Sequence, residues 1–192
     1  SVAMSTAAAA GGPADLPTFA LENYDGRPIT NASLEGKTTI VVPTYAKCIF
    51  ACPVITFVLT GLDEELGAPG TVQYLHVSIQ PEEDTAEEIL SHFEKHEIDA
   101  TQDPRWLFAN GPVDGIEKFL ADLDIEITRT PVKGGFVIEH TVRVYVVGPD
   151  GNVMTSFDTY FWNEEEMRHA LQEVSTVHPA DPRDRRRRAL RT

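Results

Sequence analysis

The chain has 192 residues, 42% hydrophobic and 24% charged, which is the composition of one globular domain with a real core and excludes a disordered or fibrous chain. No run approaches the roughly 20 apolar residues a spanning helix needs. The net charge of −14 is uneven: Asp181 to Thr192 hold six Arg and two Asp, so residues 1–180 carry about −18, which disfavours nucleic acid and anionic membranes and suits cations or a basic protein partner.

Residues 1–15, rich in Ala and Gly, read as a flexible linker or the remnant of a removed signal or membrane anchor. A thioredoxin-like domain is expected over 16–177 and a basic, solvated tail over 178–192. Leu16 to Ile29 reads as a hairpin turning at Asp25-Gly26. The β-branched run Lys37 to Val42 predicts a buried central strand, with Pro43 ending its pairing.

Next come the only two cysteines, in Cys48-Ile49-Phe50-Ala51-Cys52-Pro53. Ile55, Val58, Leu59, Leu62 and Leu66 follow at helical spacing. Pro53 suits a first helical position, which predicts Cys52 as the N-cap with a lowered thiol pKa, aided by Lys47. Val72 to Ile79 predicts a second buried strand, and Asp84-Thr85 opens a helix to about His96. Trp106 to Phe108 predicts a strand and Val113 to Leu123 a helix. Gly134-Gly135 reads as a turn. Thr141 to Val147 and Asn152 to Phe157 form a hairpin around Asp150-Gly151, and a last helix runs from Asn163 to about Val174. This order predicts an α/β fold, a central mixed sheet flanked by helices with an N-terminal hairpin, of thioredoxin type.

Two thiols four apart at a strand-to-helix junction close reversibly into a disulfide or converge on a soft metal. An inert pair is disfavoured, because so small a loop constrains the unfolded chain little. A metal site needs a third ligand. Of six histidines, His140 precedes a strand expected beside the one leading into the cysteines. Two thiolates and an imidazole suit Cu(I), with Cu(II) or Zn(II) also possible, but spacing alone leaves His140 one candidate among six. His92 and His96, at i and i+4 among glutamates, read as a solvated face, and His76 as a core or edge histidine. The aromatics Phe157, Tyr160, Phe161 and Trp162 read as core packing.

Pro17 to Leu21 with Asp25-Gly26, Leu34 to Lys37, Cys48-xxx-Cys52-Pro53, Val77 to Pro81 with Asp84-Thr85, Trp106 to Gly111 and Glu139-His140-Thr141 together resemble the Sco/SenC family of copper chaperones. The resemblance covers about Leu16 to Val174. It implies a thioredoxin fold and Cys48, Cys52 and His140 as ligands of one copper ion, Cu(I) or Cu(II). It also implies a membrane-anchored, extracytoplasmic protein that assists assembly of the dinuclear copper centre of cytochrome c oxidase. Its partner would be a copper-accepting oxidase subunit or another thiol-bearing copper protein, met by metal delivery or by thiol reduction. Ile49, Gln80, Glu139 and Thr141 depart from the family's usual residues.

The alternative is a thiol–disulfide oxidoreductase using Cys48 and Cys52 as its redox-active pair without a metal. A thiol peroxidase is disfavoured because Tyr45 stands where a Thr or Ser is required, and the intact trio argues against a binding module with a dead site.

Overall fold

The structure, a computed structural model, describes residues 15–65, 72–158 and 164–177. Its elements in chain order are β1 (Ala20–Asn23), β2 (Pro28–Thr30), α1 (Asn31–Leu34), β3 (Thr38–Thr44) and α2 (Ala51–Glu65). There follow β4 (Val72–Ser78), α3 (Ala86–Glu94), β5 (Trp106–Asn110), α4 (Val113–Asp122), β6 (Ile127–Val132), β7 (Gly135–His140), β8 (Val144–Val147), β9 (Val153–Phe157) and α5 (Glu164–Val177).

Seven strands form one mixed sheet in the order β2-β1-β5-β4-β3-β8-β9. β3, β4 and β5 run parallel at its centre, and β8 lies antiparallel against β3 with Val41 opposite Tyr145. Every residue of β3 and β4 is buried, as a strand covered on both faces requires. The period of two sorts the core. Ile40 and Val42 face one side with Ile55, Leu59 and Leu62 of α2, Phe93 of α3 and Met167 of α5. Val41, Leu75 and Tyr145 face the other with Ile116, Phe119 and Leu120 of α4. This is the expected mixed sheet with helices on both faces.

Pro43 lies inside β3 rather than ending its pairing. The β8 ladder stops at Val41 while the β4 ladder runs through Pro43 to Thr44, so the missing donor falls where one neighbour has already left. The turn at Gly134 is where expected, but it joins two strands where none was predicted. β6 and β7 form a separate two-stranded sheet whose residues are largely exposed. Tyr160, Phe161, Trp162, the last helix's predicted start at Asn163, His178 and the flanking segments 1–14 and 178–192 lie outside the described residues.

Candidate metal centre

The cysteine loop leaves the end of β3 and enters α2, and buried polar groups hold it. Asp84 accepts the Ala46 N–H at 2.9 Å and the Ser78 hydroxyl, and its backbone carbonyl takes a hydrogen bond from the Asn110 amide. Ile79 N–H closes on the Thr44 carbonyl at 2.8 Å. Burial pushes the Asp84 carboxyl up while the Ser78 and Ala46 bonds pull it down. His92, 2% exposed, bonds the Thr56 hydroxyl of α2 through Nε2 and also the Ala46 backbone. The solvated face expected for His92 is therefore wrong: a polar niche between α2, α3 and the loop satisfies the ring and overrides its glutamate neighbours. Burial lowers its pKa to about 4. His76 is a core histidine, with no hydrogen-bond partner on either ring nitrogen among the described residues and its pKa pushed well down by burial.

Both cysteines are free thiols. α2 starts at Ala51, so Cys52 sits inside its first turn and is not its N-cap. That shift inverts the expected chemistry. Cys48, half-buried, accepts hydrogen bonds from the Cys52 thiol, from the backbone N–H groups of Cys52 and Phe50, and from Tyr45. Together these outweigh burial and lower its pKa to about 5. Cys52, 1% exposed, is pushed well above the ordinary thiol value by the bond it donates to Cys48 and by burial. The helix N-terminus acts as foreseen, but on Cys48. Lys47 points away, pairing with Glu88 at 3.4 Å. The two thiols are thus unequal, with half-buried Cys48 favouring the thiolate and buried Cys52 donating its proton toward it.

His140 ends β7, opposite Ile127 of β6. Because β8 runs antiparallel to β3, the residues just before β8 lie at the end of β3 from which the cysteine loop departs. Nδ1 of His140 lies 2.9 Å from the Thr141 carbonyl, which can only accept. The neutral ring therefore carries its proton on Nδ1 and keeps the Nε2 lone pair, the arrangement common in metal-binding histidines. Burial lowers its pKa, opposed by that carbonyl and by the negative charge of Cys48. His140 is therefore within electrostatic reach of the thiolate. Among the described residues, however, no three His, Cys, Asp or Glu side chains stand close enough together to hold a metal ion. The structure brings the two sulfurs into hydrogen-bond contact and leaves the imidazole nearby on the hairpin.

That hairpin is tied down by Arg129, whose guanidinium donates to the Ile79 carbonyl at 3.0 Å and faces Glu117 at 3.6 Å. Sequence reasoning missed Arg129, the loop-holding role of Asp84, and Tyr45 as a hydrogen-bond donor to Cys48. Only Asp84 carried a signal, through its place at the start of α3.

Fold and site together define a thioredoxin-like domain with a strand-to-helix dithiol and a neighbouring imidazole. The SCO1/SenC family profile matches residues 7–176, and the chain belongs to that family. A SCO1 protein homolog of Bacillus subtilis is 25% identical over 146 residues, 75% of this chain and 74% of the relative. Copper-bound ScoI of Bradyrhizobium japonicum superimposes with a TM-score of 0.67 at 24% identity, covering 84% of this chain and 99% of that one. BsSco, described as a member of the Sco family of cytochrome c oxidase assembly proteins with a disulfide switch, gives 0.68 at 24%, covering 85% and 94%. Among the described residues no helix is long and apolar enough to cross a membrane.

Proposed function

We propose that this chain is a copper metallochaperone that holds one copper ion on Cys48, Cys52 and His140. It passes the ion to a copper-accepting subunit during assembly of the dinuclear centre of cytochrome c oxidase. The observation that carries the reading is the hydrogen-bonded sulfur pair with, near it on the hairpin, an imidazole whose Nδ1 is held by the Thr141 carbonyl, which leaves the Nε2 lone pair for a metal. The relatives support it: ScoI was solved with copper bound and BsSco belongs to a family of oxidase assembly proteins. Two sulfurs and one nitrogen suit a soft cation, and three donors leave it open to a ligand from the acceptor, so exchange proceeds through shared coordination. Loading releases the Cys52 proton, and closing requires His140 to approach, which an exposed hairpin permits. An extracytoplasmic, membrane-anchored setting belongs to the same proposal, in keeping with a lipoprotein relative of Bacillus anthracis.

The test is anaerobic titration of the reduced protein with Cu(I). One equivalent bound tightly, and lost in Cys48→Ser and Cys52→Ser, is expected; no stoichiometric uptake overturns the role.

A second reading is favoured by the asymmetry of the thiols. A half-buried thiolate with a pKa of about 5 beside a fully buried thiol is the arrangement of an attacking and a resolving cysteine. Cys48 attacks a partner disulfide and releases one partner thiolate. Cys52 then loses its proton and attacks Cys48, so the partner gains two electrons and the pair ends as a disulfide. That disulfide cannot ligate copper, and redox state then gates loading. His140→Ala separates the readings: it leaves exchange rates nearly unchanged and weakens copper binding.

A further inference from the structure

α2 is apolar on two sides. Its inner stripe, Ile55, Leu59 and Leu62, fills the core. Its outer side carries Val54 and Phe57, 42% and 71% exposed, followed by Gly61, and the loop ahead adds Ile49 and Phe50, 78% and 75% exposed. Phe50, Val54, Phe57 and Gly61 follow at steps of four, three and four, so they form one line along the helix, starting between the two cysteines. α4 does not do this. The outward residues of α4 include Asp114, Glu117, Lys118 and Asp122, as a solvent-facing helix requires.

The stripe leads into a groove of about 610 Å³ whose apolar floor includes Phe57, Ile98 and Trp106. Glu64, Glu97 and Asp99 line the groove and form no ion pair with any described residue, against one lysine, Lys95. Asp63 and Asp103 also line it and share the single positive charge of Arg105. Exposed aromatic side chains leading to uncompensated carboxylates ask for a ligand that is apolar and cationic at once. A second copy would bring the same carboxylates face to face, and an anionic membrane would be repelled by them.

We infer that the outer face of α2, from Ile49 to Gly61 with the acidic groove beyond it, is the docking surface for the copper-receiving protein. The receiving protein presents a segment that places an apolar anchor beside Lys or Arg. The inference rests on the chaperone reading and deepens it. The placement gives docking a function, since the stripe begins at Ile49 and Phe50, in the loop between the two cysteines. The apolar part is on the order of 500 Å², below the roughly 800 Å² per partner of a stable interface, and so suits a contact that forms for transfer and then parts.

The probe is a short amphipathic peptide of leucine and lysine, added to the reduced full chain and followed by amide NMR shifts and fluorescence anisotropy. Binding is expected with shifts at Val54, Phe57, Gly61 and Ile98. Phe57→Ser, or Val54→Ser as a second surface variant, weakens it about tenfold while the melting temperature holds. Glu64→Lys with Glu97→Lys weakens it comparably, and a leucine–glutamate peptide gains on that variant. The inference is overturned if a serine–lysine peptide of equal charge binds as well, if the shifts fall elsewhere, or if Phe57→Ser changes nothing. It is also overturned if the wild type dimerises through this face, or binds phosphatidylcholine vesicles in a Phe57-dependent way. Copper titration of the same samples separates the two claims. Copper uptake with no footprint sinks the docking surface alone, and a footprint without copper uptake sinks the copper-receiving identity of its partner.

Discussion

The two halves of the candidate centre are built by opposite means. Cys48 and Cys52 stand on the junction of a fully buried strand and a core helix, with Asp84, Ser78 and His92 locking the loop from behind. His140 stands at the end of a two-stranded hairpin outside the main sheet, exposed along most of its length and held by Arg129 and by the partly buried Ile127 and Ile138. A soft cation needs both: a preorganised sulfur pair to receive it, and a third donor that can close and reopen so that the ion can leave. Rigidity belongs to capture and looseness to release.

The comparison is broken most severely at the sulfurs. Cys48→Ser or Cys52→Ser removes a ligand outright, and competition titration is expected to show Cu(I) affinity falling by far more than the roughly 10–100-fold that outer partners of a site command. His140→Ala removes the third ligand and is expected to cost less than either sulfur, with denaturant stability nearly unchanged because the hairpin carries little of the core. Asp84→Ala strands the Ala46 N–H and the Ser78 hydroxyl in the interior. Urea unfolding is expected to show a loss of about 1–3 kcal/mol, with a weaker copper site following from the loosened loop. Arg129→Ala, by contrast, frees the hairpin while the core stays intact. A change of only a few-fold in affinity is expected, together with increased amide exchange confined to 127–140.

Acid sharpens the same contrast. His92 is held neutral in the fold, with its pKa near 4 against an ordinary 6.5, so the unfolded chain takes up the proton first. The stability this gives is complete above pH 6.5 and falls as pH drops toward 4. The loss is about 3 kcal/mol for that ring, and buried His76 acts in the same direction. Urea midpoints across that range check it. Over the same range the Cys48 thiolate is retained until about pH 5, so iodoacetamide should label it rapidly at pH 6, where an ordinary thiol is inert.

The legible parts of the molecule were those where one force decides. The β-branched run of β3 and the three- and four-residue spacing of apolar side chains along α4 declare burial, and burial set the sheet and its layers. The hairpin was illegible because β6 and β7 bury little: Ile127 to Val132 carries Thr, Arg and Pro, and only Ile127 and Ile138 pack partly against the core. The thiol assignment failed by one helical residue. With the helix starting at Ala51, the same unpaired N–H groups reach Cys48, and no local pattern distinguishes the two starts. His92 was misread because its partners, Thr56 and Ala46, come from other elements. His140 could be singled out through family resemblance and not through spacing.

The most direct measurement is X-ray absorption at the copper edge of reduced protein loaded with one equivalent of Cu(I), beside the His140→Ala variant. The account predicts two sulfur neighbours and one imidazole nitrogen, with the nitrogen absent from the variant. Two sulfurs alone in the wild type, or a nitrogen that survives the substitution, would contradict it.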